Sequence, residues 1–141
     1  MDVATLLSEN PLFRNLGKSE IEIVSRATRP ESFDTGQVII REGRVGAAFY
    51  IIVSGTVEVV KGLGSAQETV MATLGPGEFF GEISTVKHLP RSASVRATED
   101  SDFLVIRRTD FESFISQFPG AAIKVEAAAR ARLAELKDVK D

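Results

Sequence analysis

The sequence predicts a mainly β fold with flanking helices, built as a small barrel or sandwich. Three observations carry this. Short β-rich runs succeed one another from Phe33 to Arg108, glycines punctuate them at Gly36, Gly43, Gly46, Gly55, Gly62, Gly75, Gly77 and Gly81, and helical patterning is confined to the two ends. A length of 141 residues fits one domain, with N-terminal helices over 1–28, the β region over 29–108 and C-terminal helices over 109–141.

In chain order, ATLLSE makes one or two amphipathic turns and Asn10-Pro11 breaks them. Ser19-Glu20-Ile21-Glu22 then offers a capping box to a second helix, whose Ile21, Ile23 and Val24 form an apolar side. Strands are expected at VIIRE (38–42), AFYIIV (48–53), TVEVVK (56–61), ETVMATL (68–74), SASVRAT (92–98) and DFLVIRR (102–108), with Phe33 on an earlier one. Only Ser54-Gly55 separates 48–53 from 56–61, and glycine accepts positive φ, so these two runs are expected to pair as a hairpin. GLGSAQ (62–67), the one loop of mobile composition, reads as a plain turn between strands.

Thr109-Asp110-Phe111-Glu112 is a second capping box, and Phe111, Phe114, Ile115 and Phe118 recur at helical spacing, as a helix packed on the barrel requires. Pro119-Gly120 interrupts it. AAIKVEAAARARLAELK then has the composition of a strong, separately hinged helix. Val125, Ala129, Leu133 and Leu136 fall on one side of that helix, and Ile123, Ala127, Ala131 and Ala134 on another. Two stripes imply two contacts: both with the chain's own barrel, or one with the barrel or a ligand and the other with a second subunit.

Composition narrows the function. Hydrophobic residues at 43% and charged ones at 26% suit a soluble globular chain, and 20 acidic against 17 basic residues leave no positive field for a nucleic acid backbone. Cysteine is absent, which removes disulfides, thiol catalysis and cysteine metal sites; His88 is the sole histidine, so a three-histidine metal site cannot be assembled. With no signal-like N-terminus and no run of about 18 apolar residues, a cytoplasmic protein is expected.

FGEISTVKHLPRSASV (80–95) sets Glu82 and Arg91 nine positions apart among small and apolar neighbours. A buried charge is costly unless answered, so the two either answer each other or await a ligand. Gly77 and Gly81 let a backbone come close to something, and EISTV is long enough for one helical turn, whose free N–H groups favour an anion. Arg91 adds a planar fork of donors suited to two phosphate oxygens. Glu82 would be repelled by phosphate, so its task is to accept hydrogen bonds from hydroxyls such as those of a ribose. Phosphate plus ribose means a nucleotide, and deoxyribose should bind poorly.

Residues 77–97, GEFFGEISTVKHLPRSASVRA, resemble the phosphate-binding cassette of the cyclic nucleotide-binding domain family, with a Pro-Arg pair beginning eight residues after the Glu. Gly36, Gly43, FYIIVSGTV (49–57), the N-terminal NPLFRNL and the hinged C-terminal helices are also similar to that family, so the resemblance spans nearly the whole chain. It implies a β-roll, a jelly-roll barrel, with N-terminal helices and hinged C-terminal helices. It further implies that Glu82 accepts the ribose 2′-OH, that Arg91 pairs the exocyclic oxygens of a cyclic phosphate, and that backbone N–H groups around Gly81, Ile83, Ser84, Ser92 and Ala93 complete the cradle. Ser92 stands where many relatives have Ala, and its hydroxyl can add one bond to the phosphate. A Thr there accompanies cGMP preference in some relatives, so Ser92 leaves the purine open, with cAMP favoured over cGMP. The resemblance also implies a purine held against apolar strand residues and capped by the helix at 121–137. One position departs: Ala47 replaces the usual Asp, which would brace the cassette arginine, and this puts the relay of the binding signal in doubt. Ser94 reads as ordinary strand-edge polarity, His88 as an exposed loop residue, and Lys124, Arg130 and Arg132 as a solvated face.

The function these readings favour is a non-enzymatic cyclic nucleotide sensor with no metal and no cofactor beyond its ligand, whose C-terminal helices move on binding. An effector protein, or a second copy met through the C-terminal helix, would receive the signal. An enzyme is the competing class, either a metal-dependent oxygenase or isomerase or a phosphodiesterase, and composition speaks against it because no metal set and no base beside the phosphate are offered. A degenerate cassette serving as a protein-interaction module is the third reading. Only KDVKD follows the last helix, too little for a DNA-binding module, pore, kinase or exchange factor, so the chain is expected to be a stand-alone receptor or a fragment.

Overall fold

The computed structural model describes residues 2–42, 48–81, 93–125, 127–128 and 131. Two helices open the chain, α1 (Val3–Glu9) and α2 (Lys18–Ala27), joined by a tight turn in which the Asn10 carbonyl accepts the N–H groups of Phe13 and Arg14 at 3.0 and 2.9 Å. The Asn10 side chain is buried, and its Oδ1 accepts the Leu12 N–H at 2.9 Å, so Asn10-Pro11 ends α1 and reverses the chain as its composition requires. The start of α2 differs from expectation. Gly17 is its N-cap, and Glu20, three residues on, reaches back to accept the Gly17 N–H at 2.8 Å. The box therefore closes two residues earlier than Ser19 and Glu22 would have set it.

Among the described residues there are eight strands: β1 (Thr28–Phe33), β2 (Val38–Ile40), β3 (Ala48–Ser54), β4 (Val57–Lys61), β5 (Thr69–Leu74), β6 (Phe79–Gly81), β7 (Ser94–Ala97) and β8 (Ser101–Arg107). They form two antiparallel four-stranded sheets, sheet A in the order β1-β8-β3-β6 and sheet B in the order β2-β7-β4-β5. The six expected runs all appear with ends shifted by a residue or two, Phe33 closes β1, and β6 is an addition. Pro30 is tolerated in β1 because β1 lies at a sheet edge.

The expected hairpin between 48–53 and 56–61 does not form: β3 belongs to sheet A and β4 to sheet B. A two-residue hairpin of the Asn-Gly kind needs positive φ at both central residues, and among the described residues only glycines have it. Ser54 instead continues β3, paired with Asp102 after a register shift, and Gly55 at φ +92° turns the chain from one sheet into the other.

Alternation along the strands divides the core in two. Phe49, Ile51, Leu104 and Ile106 face the helices and pack with Leu7, Leu12, Phe13, Val24, Phe111 and Phe114. Ile52, Phe80, Phe103 and Val105 face the other way and meet Val57 and Val95 of sheet B. Each large apolar side chain removed from water in this way contributes on the order of 1.5–3 kcal/mol.

From β8 the chain enters α3 (Arg108–Gln117) with no intervening loop, because Arg107 still pairs with Ala48 while serving as N-cap. Thr109 consequently lies inside the first turn, and the expected box on Thr109 and Glu112 is not the cap. Phe111 and Phe114 are buried, as their spacing requires, and Phe118 ends the helix. Helical residues resume at 119–125, where Ala121 and Val125 are fully buried in the helix-facing core. Val125, the described member of the first stripe, thus packs on this chain. Of the second stripe, Ile123 is 72% exposed and Ala127 and Ala131 also face outward. Ala129, Leu133, Ala134 and Leu136 lie outside the described residues.

Candidate functional site

Of the seven candidate ligand-binding residues, the structure describes Gly81 and Ala93, while Glu82, Ile83, Ser84, Arg91 and Ser92 lie outside the described residues, as do Ala47 and His88. The two described residues are the ends of the stretch. Gly81 closes β6 in sheet A, Ala93 immediately precedes β7 in sheet B, and the intervening cassette residues connect one sheet to the other.

Gly81 has φ +105° and is in register with Phe49 on β3. A Cβ placed there would come within 2.5 Å of the Ala48 carbonyl oxygen and 3.2 Å of Phe49 Cα, so only glycine lets β6 run this close to β3. Gly77 serves differently. Its φ is +88°, but open space surrounds it, so it supplies a turn rather than a close approach; its N–H donates to the Ile52 carbonyl at 2.8 Å.

On the exit side Ala93 is 7% exposed and Ser94 3% exposed. Ser94 is not the strand-edge residue its sequence suggests, because β7 is flanked by β2 and β4 and the Ser94 hydroxyl oxygen accepts the Glu42 N–H at 2.9 Å. The next cation along β7, Arg96, donates to Glu58 at 3.0 Å and pairs with Glu68 at 3.3 Å. The Gly64 N–H holds the Glu68 carboxyl below its ordinary value, and Arg96 adds to the effect.

Between the sheets, Ile39, Ile40, Tyr50, Val59 and Leu74 are half-buried against the inner core. This apolar lining suits a flat, weakly polar group. The Tyr50 ring stacks on Phe80, with centroids 4.9 Å apart and planes 7° from parallel. Burial, with Glu31 adding, raises the Tyr50 phenol pKa, which keeps it protonated as a hydrogen-bond donor. The opposite face of sheet B is different in character: Ser94, with Arg41, Glu42, Gly62, Leu63 and Ser65, lines an open polar cleft of about 390 Å³. Sequence reasoning passed over Arg41 and Glu42, because what marks the pair, the bonds of Glu42 to Ser94 and Gly62, joins residues far apart in the chain. No group of three or more metal-ligating side chains occurs among the described residues, and no helix among them is long and apolar enough to cross a membrane.

Residues 30–118 match the family model for the cyclic nucleotide-binding domain, a span that runs from β1 to the end of α3 and contains the whole cassette. The chain belongs to the cyclic nucleotide-binding domain family. This domain is 34% identical over 126 residues to the cyclic AMP receptor protein of Thermus thermophilus, covering 89% of this chain and 58% of that one. Its fold is similar to the crystal structure of the Thermus thermophilus catabolite activator protein, with a TM-score of 0.76 and 33% identity over 93% of this chain and 61% of that one. It is likewise similar to the regulatory domain of Toxoplasma gondii PKA, solved with cAMP, with a TM-score of 0.71 and 28% identity over 79% of this chain and 42% of that one. The cyclic nucleotide-binding domain described here thus spans less than two thirds of each of these proteins, and its two antiparallel sheets with flanking helices are the family's β-roll.

Proposed function

We propose that the chain is a non-catalytic cyclic nucleotide sensor that prefers cAMP to cGMP. Glu82 accepts the ribose 2′-OH, Arg91 pairs the exocyclic phosphate oxygens, and backbone N–H groups around Gly81, Ile83, Ser84, Ser92 and Ala93 cradle the phosphate, with the Ser92 hydroxyl adding one bond. The observation that carries this reading is the frame: Gly81 ends β6 of sheet A and Ala93 leads into β7 of sheet B, the sheets enclose an apolar lining, and the acid and the arginine lie in the chain between these two residues. The cAMP in the Toxoplasma regulatory domain, to which the chain is similar, favours the adenine nucleotide.

A route from ligand to helices is also available. Gly81 pairs with Phe49, whose ring meets Phe13 edge-on at 5.9 Å, and Phe13 meets Phe111 of α3 at 6.4 Å. Ala121 and Val125 share that cluster, so a shift at the cassette entrance reaches the C-terminal helical segment through packed rings. The ligand moves the helices only by as much as it binds their two positions differently. The output then passes to an effector protein or to a second copy.

The test is calorimetric titration of nucleotide-free protein with cAMP, cGMP and 2′-deoxy-cAMP, in wild type and Arg91→Ala. Micromolar or tighter cAMP binding, weakened by the deoxy ligand and by the substitution, is the expected result. Absence of heat and of thermal shift with every cyclic nucleotide would overturn it and leave the protein-interaction reading.

A further inference from the structure

The chain re-enters sheet B at a point fixed by side chains rather than by the strand ladder. β2 pairs with β7 through Val38 and Ile40 with a register shift between them, and the ladder ends there. Two residues on, the Glu42 N–H therefore finds the buried Ser94 hydroxyl oxygen, at 2.9 Å, instead of a strand carbonyl. The Glu42 carboxylate in turn accepts the Gly62 N–H at 3.0 Å, where the β4–β5 turn begins at φ +69°. One residue thus ties together the end of β2, the turn after β4 and the first residue of β7.

We infer that Ser94 and Glu42 are positioning residues for the bound nucleotide, bracing the phosphate end of the site from the outer face of sheet B. This rests on the cyclic nucleotide reading above. Ser94 follows Ala93 directly and Arg91 by three positions, while its side chain and the Glu42 carboxylate belong to the face opposite the apolar lining, so neither touches the ligand. Hydrogen bonds to a phosphate weaken steeply with misalignment, so affinity depends on where β7 begins. In the sequence Glu82 follows Gly81, at the other end of the stretch from Ser94, and the proposed ribose contact does not share this brace.

The experiment compares cAMP and 2′-deoxy-cAMP affinities in wild type, Ser94→Ala, Ser94→Thr and Glu42→Ala, the last at an exposed residue where folding is not at issue. Losing one such bond should weaken cAMP roughly 3- to 10-fold in Ser94→Ala and about 2- to 5-fold in Glu42→Ala. The ratio of deoxy to ribo affinity should stay within about twofold of wild type, because the ribose contact is spared, and Ser94→Thr should restore binding. Wild-type affinity in both alanine variants, failure of Thr to restore binding, or a deoxy ratio that collapses together with affinity would each overturn the brace. Absence of cyclic nucleotide binding by wild type would overturn the functional reading itself and the brace with it.

Discussion

Glu20 and Lys124 join α2 to the helical segment at 119–125: the same carboxylate oxygen that accepts the Gly17 N–H at 2.8 Å lies 3.6 Å from Lys124 Nζ. Glu20 is largely shielded and Lys124 half-exposed, so the pair resembles a screened surface bridge worth about 0.2–1 kcal/mol. Glu20→Gln keeps an oxygen for the cap and loses only the charge, and should cost about that much in urea unfolding. Glu20→Ala loses the cap as well and should cost about 1 kcal/mol more. Equal losses in the two variants would locate the whole contribution in the ion pair.

Phe13 is fully buried where α1, α2, α3 and sheet A meet, with edge-on contacts to Phe49 and Phe111. Phe13→Ala is expected to cost roughly 3–5 kcal/mol, and Phe13→Leu less than about 2, measured by denaturant unfolding. A loss under about 1 kcal/mol for Phe13→Ala would mean that the helices contribute little to folding of the β region.

Gly55 combines φ +92° with a site where a Cβ would collide with the Ser101 hydroxyl and come within 2.7 Å of the Asp100 carbonyl. Gly55→Ala should therefore destabilise by about 2 kcal/mol or more. Gly64 also has positive φ, at +83°, but meets open space, so Gly64→Ala should show the backbone strain alone and a smaller loss. Equal losses would remove the steric part of this account.

Asp100 accepts hydrogen bonds from the Thr35 N–H at 2.8 Å and the Thr35 hydroxyl at 2.9 Å, and these, the N–H first, lower its carboxyl pKa. The folded protein then takes up this proton less readily than the unfolded chain. The contact adds stability above the ordinary Asp pKa of about 3.9 and loses it as pH falls through the lowered folded value. Asp100→Asn should melt below wild type at pH 7, and the gap should close as melting is repeated down to about pH 2.5. A gap independent of pH would assign the difference to geometry rather than charge.

Alternating apolar residues and glycine punctuation made most strands legible, and the phenylalanine spacing of 111, 114 and 118 revealed α3. Pairing was less accessible. β3 sits beside its sequence neighbour β4 only across a corner, because its partners β8 and β6 come from much later in the chain and Ser54 cannot supply the backbone a tight hairpin needs. Helix starts also slipped, since Gly17 and Arg107 act as N-caps with no side-chain bond of their own, leaving nothing in their identity to mark them. The close backbone approach at Gly81 was readable because its demand is local. Ser94 was not, because the N–H that its hydroxyl oxygen accepts, that of Glu42, comes from 52 positions away.

The sheet order also governs when the molecule can exist during its own synthesis. β1 has β8 as its ladder partner, and Ser32 bonds Asp102 across 70 positions. Helices α1 and α2 and the first strand therefore leave the ribosome long before the strand that covers them, and they wait with apolar faces open. Closing so long a loop is slow, so the emergence of β8, rather than of the first helices, decides whether the nascent domain folds or aggregates.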